Sequence, residues 1–135
     1  MKARFALSLV VVAAASLSAC NGNGEPGDAM GAKVLRGQLE RANVPAKLVS
    51  FKKTSGRAAH IGNADVYEYQ YQAELLFPDG YEAKCADEKE RGPCAALGLA
   101  TDRTFQKNEV WTGEGMLHFT GTQKGAWIGE DGQTY

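Results

Sequence analysis

The sequence has 135 residues, with 15 lysines and arginines against 16 aspartates and glutamates, and its formal net charge is −1. This length fits one small domain. The charges are nearly balanced and no block of basic residues occurs, which argues against a protein that binds nucleic acid.

Residues 1–19 have the pattern of a bacterial export signal. Lys2 and Arg4 precede an apolar segment over residues 5–17, which is shorter than the roughly 20 apolar residues that a membrane-spanning helix needs. The motif Leu17–Cys20 (Leu-Ser-Ala-Cys) then resembles the lipobox of bacterial lipoproteins. The alternative is an ordinary secretory signal with a cysteine close to its cleavage site.

The lipobox resemblance implies a covalent anchor. Cys20 would become the first residue and carry a diacylglyceryl thioether, usually with an acylated amine; two or three acyl chains, at about 0.8 kcal/mol for each buried CH₂, hold a protein stably. Asn21 stands where an inner-membrane retention signal would have aspartate. In a Gram-negative cell we therefore expect the outer membrane, with the protein facing the periplasm. The mature chain would have thirteen basic and sixteen acidic residues, a formal charge of −3.

Residues 20–27 are predicted to be the lipidated cysteine and a flexible tether, because glycine and asparagine dominate them. One domain then covers residues 28–135. Asp28 can cap an amphipathic helix that runs to about Asn43. A first strand is predicted over residues 46–54, followed by a small polar connection over residues 57–65.

The strongest pattern in the chain lies at Val66–Phe77. Side chains of a strand alternate between its two faces, and alternate residues here are mainly glutamate and glutamine. The pattern predicts a long antiparallel strand with one polar face and one apolar face, the latter formed by Tyr67, Tyr69, Tyr71, Ala73, Leu75 and Phe77. Pro78–Gly80 ends it with residues typical of turns.

Two cysteines are left once Cys20 carries lipid. A redox site would need Cys-x-x-Cys, and zinc would need further cysteines or histidines nearby, so we expect a disulfide between Cys85 and Cys94, as is usual in an oxidising compartment. Such a short loop contributes on the order of 2–3 kcal/mol. Residues 95–99 are predicted to form one helical turn or a short buried plug.

The remaining segments are predicted to be β structure. Residues 105–120 fit one long strand with a bulge at Gly113–Gly115, or two separate strands. A turn at Gln123–Gly125 leads to a short strand at Trp127–Gly129, and Asp131–Gly132 is a further tight turn.

These elements predict an α+β fold in which one helix packs on a curled antiparallel sheet of about four strands. The arrangement resembles the cystatin-like or NTF2-like plan. Residues 50–56, 67–74 and 115–127 look like those of a family of small uncharacterised bacterial lipoproteins, and the resemblance covers most of residues 33–130. It implies a fold and no chemistry, and the Cys85–Cys94 loop lies outside its pattern.

The sequence indicates neither catalytic residues nor a metal or cofactor site. Neither His60 nor His118 has a recognisable nucleophile or relay partner, and no phosphate-binding loop occurs. Glu68 and Glu74 share the polar face of the long strand, but about 20 Å separates them along it, too far for a catalytic carboxylate pair. We therefore predict that the protein is not an enzyme.

The aromatic residues have two interpretations. They can form the core, with hydroxyl groups reaching its rim. Alternatively, Tyr67, Tyr69, Tyr71 and Trp127 line a ligand-binding pocket between helix and sheet. A third possibility is a partner strand that adds to an exposed sheet edge.

The favoured hypothesis is a lipid-anchored envelope protein that acts as a non-enzymatic interaction or accessory module for an envelope protein partner. One alternative is a pocket-type binder of a small apolar or glycan ligand. The other is an inhibitor of envelope-directed hydrolases that inserts the turn around Lys124.

Overall fold

The computed structural model describes residues 24–135; the predicted export signal, the predicted lipobox with Cys20, and residues 21–23 lie outside the described residues. The elements, in chain order, are α1 (Asp28–Arg41), β1 (Lys47–Ile61), β2 (Ala64–Phe77), β3 (Tyr81–Ala83), α2 (Arg91–Leu97), β4 (Arg103–Phe105), β5 (Glu109–Gly121) and β6 (Trp127–Ile128). A single 3₁₀ turn, Glu88–Glu90, precedes α2.

Four strands form an antiparallel sheet in the order β1-β2-β5-β6, and β3 pairs with β4 in a separate two-stranded sheet. The four-stranded sheet does not close on itself. The predicted α+β class with four antiparallel strands is therefore confirmed.

The core lies on one face of β2. The alternation that the sequence predicts is confirmed, since Tyr67, Tyr69, Tyr71, Ala73, Leu75 and Phe77 are all buried. Three α1 residues and two from β5 complete this layer: Val34, Leu35, Leu39, Leu117 and Phe119. Full burial stabilises a side chain of this size by about 1.5–3 kcal/mol, so α1 is held mainly by its packing on the sheet.

Strand β1 is longer than the sequence predicts. It continues to Ile61, and Gly62-Asn63 turns directly into β2, so the polar connection predicted over residues 57–65 is wrong. Residues 57–61 are mostly exposed. The sequence there lacks the alternation of apolar and polar residues that marks a half-buried strand. A register shift between Leu48 and Ser50 also leaves Val49 exposed, although strict alternation would place it beside Phe51.

The predicted bulge at Gly113–Gly115 is wrong as well, because the pairing of β5 with β2 runs through these residues without a shift. Aromatic rings explain the two glycines. A Cβ on Gly115 would lie 2.6 Å from Cζ of Tyr71, and a Cβ on Gly113 would lie 2.6 Å from Cζ3 of Trp111. Phe105 belongs to β4 rather than to this strand.

The predicted disulfide between Cys85 and Cys94 is present. Residues 95–99, predicted to be a helical turn or a buried plug, include the end of α2, where Leu97 is buried and Gly98 has a left-handed φ of 68°. The short helix thereby lies across β2 and β5 beside the carboxyl-terminal half of α1.

Candidate functional site

The structure separates the four aromatic residues that one interpretation of the sequence assigns to a ligand-binding pocket. Tyr67, Tyr69 and Trp127 contact the chain's own residues 24–27, whereas Tyr71 borders an open cleft. All three tyrosine rings are buried within the core. These residues therefore belong to two separate sites.

The first site holds the Gly24–Gly27 segment, and we call Lys53, Tyr67, Tyr69 and Trp127 the tether clamp. The indole Nε1 of Trp127 donates to the carbonyl oxygen of Gly24 (3.0 Å). At the other end of the segment, the hydroxyl of Tyr69 donates to the carbonyl oxygen of Gly27 (3.0 Å). Both ends of the segment are thus fixed by aromatic donors.

Lys53 joins the middle of the segment to the clamp. Its Nζ donates to the Tyr67 hydroxyl (2.7 Å) and to the Pro26 carbonyl (3.2 Å), and lies 3.4 Å from Oε2 of Glu25. It also lies 4.5 Å from the centroid of the Tyr67 ring, within the range of a cation–π contact. The side chain of Pro26 is fully buried.

Glu25 and Lys53 each favour the charged form of the other. Hydrogen bonds from Tyr67 and Lys53, together with the charge of Lys53, lower the pKa of Glu25. Burial lowers the pKa of Lys53, but Tyr67 and Glu25 outweigh that effect and the net pKa is raised. Burial raises the pKa of Tyr69. At neutral pH the clamp therefore holds a lysine cation and a glutamate anion.

The predicted tether is consequently shorter than expected. Glycine and proline suggest a flexible linker, yet residues 24–27 pack on the sheet and belong to the domain. Their order comes from partners more than 25 residues away in sequence, which composition does not reveal.

The second site is a cleft of about 500 Å³ between α1, α2 and β5, here called the α2 cleft. Small residues form much of its lining: Gly92, Ala95, Ala96, Gly98 and Gly115. Its volume lies within the roughly 300–1,000 Å³ of ordinary ligand sites. Small side chains leave backbone atoms accessible and give room to the side chains of a bound molecule.

Polar groups gather at one end of the α2 cleft around Glu130. One carboxylate oxygen accepts from Nε2 of Gln38 (2.8 Å), and the other accepts from the backbone N–H of His118 (3.1 Å) and lies 2.9 Å from His118 Nδ1. Burial and then the charge of Glu130 raise the pKa of Tyr71 to about 12. Arg41 donates from Nη1 to the carbonyl oxygen of Asp131 (2.7 Å).

One residue of β5 presents its backbone to this cleft. Beyond Thr120 and Gly121, which pair with β6, no described strand pairs with the outer edge of β5. The His118 N–H points outward to Glu130, so by alternation the N–H and C=O of Met116 and Glu114 also point outward. Gly98 packs against the carbonyl oxygen of Glu114: a Cβ on Gly98 would lie 3.0 Å from that oxygen. Between Glu130 and Gly98, no group in residues 24–135 pairs with the outward N–H and C=O of Met116.

The residues considered for catalysis are distributed over exposed surfaces. His60 lies on the exposed end of β1, with Nδ1 2.7 Å from Oδ1 of Asp65; Glu68 pairs with Arg57. Over residues 24–135 no group of three or more His, Cys, Asp or Glu side chains is arranged to hold a metal ion. No helix in that range has the length and apolarity to cross a membrane.

No family model matches this sequence, and neither the curated proteins nor the solved structures contain a match.

Sequence reasoning missed Lys53 of the tether clamp. It also missed every residue of the α2 cleft except Tyr71, and Met116 and Glu130 are among those missed. Lys53 follows Phe51 on the same face of β1, where both contact tyrosine rings; a cation on an apolar face needs an anionic partner, and that signal was available. Glu130 lies in a glycine-rich turn, and nothing in its neighbourhood indicates that it reaches His118.

Proposed function

We propose that the chain is a lipid-anchored cell-envelope protein whose domain is a non-enzymatic interaction module. Cys20 would hold it in the membrane, in a Gram-negative cell the outer membrane facing the periplasm, and the α2 cleft would receive a short extended segment of an envelope protein partner. The lipobox-like sequence supports the anchor, and the Cys85–Cys94 disulfide is typical of an oxidising compartment.

The finer assignment of the fold belongs to the same proposal. A helix that packs on one face of an antiparallel sheet supports a cystatin-like or NTF2-like arrangement. Together with the lipobox, it also supports membership of the small bacterial lipoproteins that the sequence resembles.

The open backbone of Met116 is the observation that carries the choice of site. An extended peptide residue opposite Met116 can exchange two hydrogen bonds with it, as residues do across an antiparallel ladder. The small residues of α2 leave space for that peptide's side chains. Glu130 on one side of Met116 and Gly98 on the other limit the length of edge that is open. The partner segment that pairs there would therefore be short.

The other edge of the sheet is less suited to a partner. Strand β1 has two register irregularities, and its edge carries Lys47 and Lys52. Irregularities and lysines are the features that keep edge strands from pairing with other chains. Asp28 also accepts the backbone N–H of Lys53 (2.8 Å). We therefore place the partner at β5.

Photo-crosslinking in intact cells tests the site. Gly92 lines the cleft, and a Cβ there would meet nothing within 4 Å, so a photoreactive residue is tolerated at this position. We expect a crosslinked envelope protein from position 92 and none from position 52. Met116→Pro removes the outward donor and should abolish the crosslink, whereas Met116→Leu keeps the donor and the crosslink.

Circular dichroism of both Met116 variants controls for folding. A crosslink that survives Met116→Pro in a folded protein would exclude the proposed contact. If no protein crosslinks and native mass spectrometry finds a small molecule retained by the purified domain, the pocket-type binder is correct instead; the volume of the cleft and the Tyr71 hydroxyl at its wall favour that second candidate.

The anchor has its own test. Mass spectrometry of the mature protein should find a diacylglyceryl group on Cys20. Cys20→Ala should leave an uncleaved precursor or release the protein from the membrane. A processed Cys20→Ala chain that stays in the membrane fraction would contradict lipidation.

A further inference from the structure

We infer that the tether clamp orients the domain at the membrane, so that the end of the sheet carrying the β1–β2 turn faces the lipid surface. The inference rests on the proposed lipidation of Cys20. It concerns a different surface from the α2 cleft, and its partner is the surface of the anchoring bilayer.

The clamp fixes where the chain leaves the domain. The carbonyl oxygen of Gly24 accepts a hydrogen bond from Trp127. The ring centroid of Trp127 lies 5.9 Å from that of Tyr67, near the start of β2. Cys20 and Gly24 are four residues apart, so even a fully extended chain separates them by at most about 14 Å. The part of the domain around Trp127 is therefore held close to the lipid.

Two turns lie at this same end of the sheet. The β1–β2 turn falls between Ile61 and Ala64, which are paired, and Val66 pairs with Thr120 just before the Thr122–Ala126 turn. Both turns therefore lie beside the point where Gly24 is held. We call this the Ile61 end of the sheet.

The opposite end of the sheet lies far away. Phe77 at the end of β2 pairs with Glu109, and the β3–β4 pair and the disulfide follow there in the chain. At about 3.3 Å for each step between residues, the fourteen residues of β2 span about 43 Å. A domain held at the Ile61 end thus directs the Phe77 end of the sheet toward the aqueous phase, and the α2 cleft, lined by Tyr71 and Met116, lies between the two ends.

The side chains at the Ile61 end suit a lipid headgroup region. Ile61 is an apolar residue with 65% of its surface exposed, and Lys124 in the second turn is exposed. Trp127, only partly buried, has the amphipathic character of residues at membrane interfaces. The exposed isoleucine beside one turn can insert shallowly while the lysine of the other turn contacts lipid phosphates.

Energy transfer to labelled lipid tests the orientation. The lipidated protein is reconstituted into phosphatidylethanolamine–phosphatidylglycerol vesicles that contain a headgroup-labelled acceptor. A donor dye is attached through Asn63→Cys at the Ile61 end or Lys107→Cys at the opposite end; both positions are exposed, and the native pair is oxidised. We expect transfer from position 63 to be several-fold greater than from position 107.

A spacer variant is the matched control. A flexible glycine–serine insert between residues 23 and 24 leaves the domain intact but lengthens the connection, and it should bring the two transfer efficiencies together. Equal transfer from both positions without the insert would overturn the inference. Flotation of the vesicles separates this result from failure of the proposed anchor, because a protein without lipid does not float with them.

Discussion

Trp127 donates the N–H of its indole ring to the carbonyl oxygen of Gly24, a residue 103 positions earlier in the chain. The contact joins the first described residue to the last strand of the sheet. Because Tyr69 holds Gly27 in the same way, a segment with the composition of a linker is a structural part of the domain.

Trp127→Phe tests this contact. Phenylalanine keeps an aromatic ring beside Tyr67 but removes the donor, so we expect the free energy of unfolding to fall by about 0.5–1.5 kcal/mol. Amide hydrogen exchange around residues 24–27 should become faster. Trp111→Phe, which changes a ring that packs on Phe105, should leave that exchange unchanged, and equal acceleration in both variants would contradict the assignment.

Acid should release the same segment. The pKa of Glu25 is lowered by Tyr67 and Lys53, so its contribution is complete above the ordinary pKa of 4.5 and is lost as the pH falls through the lower, folded value. We expect hydrogen exchange at residues 24–27, corrected for intrinsic rates, to show less protection under acid. Glu25→Gln should abolish this pH dependence, whereas Glu114→Gln on the outer face of β5 should preserve it.

Reduction of the disulfide should lower the melting temperature. Cys85 and Cys94 are nine positions apart, and a loop of that size contributes on the order of 2–3 kcal/mol. Cys85→Ala/Cys94→Ala should show the same loss without reductant and no further loss with it. A double variant that still responds to the reductant would show that the effect arises elsewhere.

Part of this architecture was predictable because it depends on local patterns. Along β2, apolar residues alternate with polar ones, and the apolar residues are the buried ones. Cys85 and Cys94 were the two cysteines left to form a disulfide. Other features depend on contacts distant in sequence. Residues 57–61 extend β1 by backbone pairing and by the contacts of Arg57 with Glu68 and of His60 with Asp65, without burial of apolar side chains. Composition does not show that Gly24–Gly27 has partners in the sheet.

The glycines of β5 show why a local pattern can mislead. Glycines around a lone glutamate suggest a bulge, yet the register is continuous. Gly115 lacks a side chain because the ring of Tyr71 occupies that space. The residue that decides this position is 44 residues away, and only the paired strands bring the two together.

Gly115→Ala measures that close approach. The new methyl group would lie 2.6 Å from Cζ of Tyr71, so the ring must move. Overpacking of this kind costs about 1–3 kcal/mol, which chemical denaturation should detect. Because Tyr71 and Gly115 both line the cleft, the crosslink from position 92 should weaken as well.

Gly92→Ala is the matched control. A Cβ at residue 92 meets nothing within 4 Å, and the residue lies in the first turn of α2. Alanine is the better helix former by about 1 kcal/mol in a helix interior, so this variant should be neutral or slightly more stable. If Gly115→Ala were equally harmless, Tyr71 would have to be free to move, and its packing could not be the reason for glycine at residue 115.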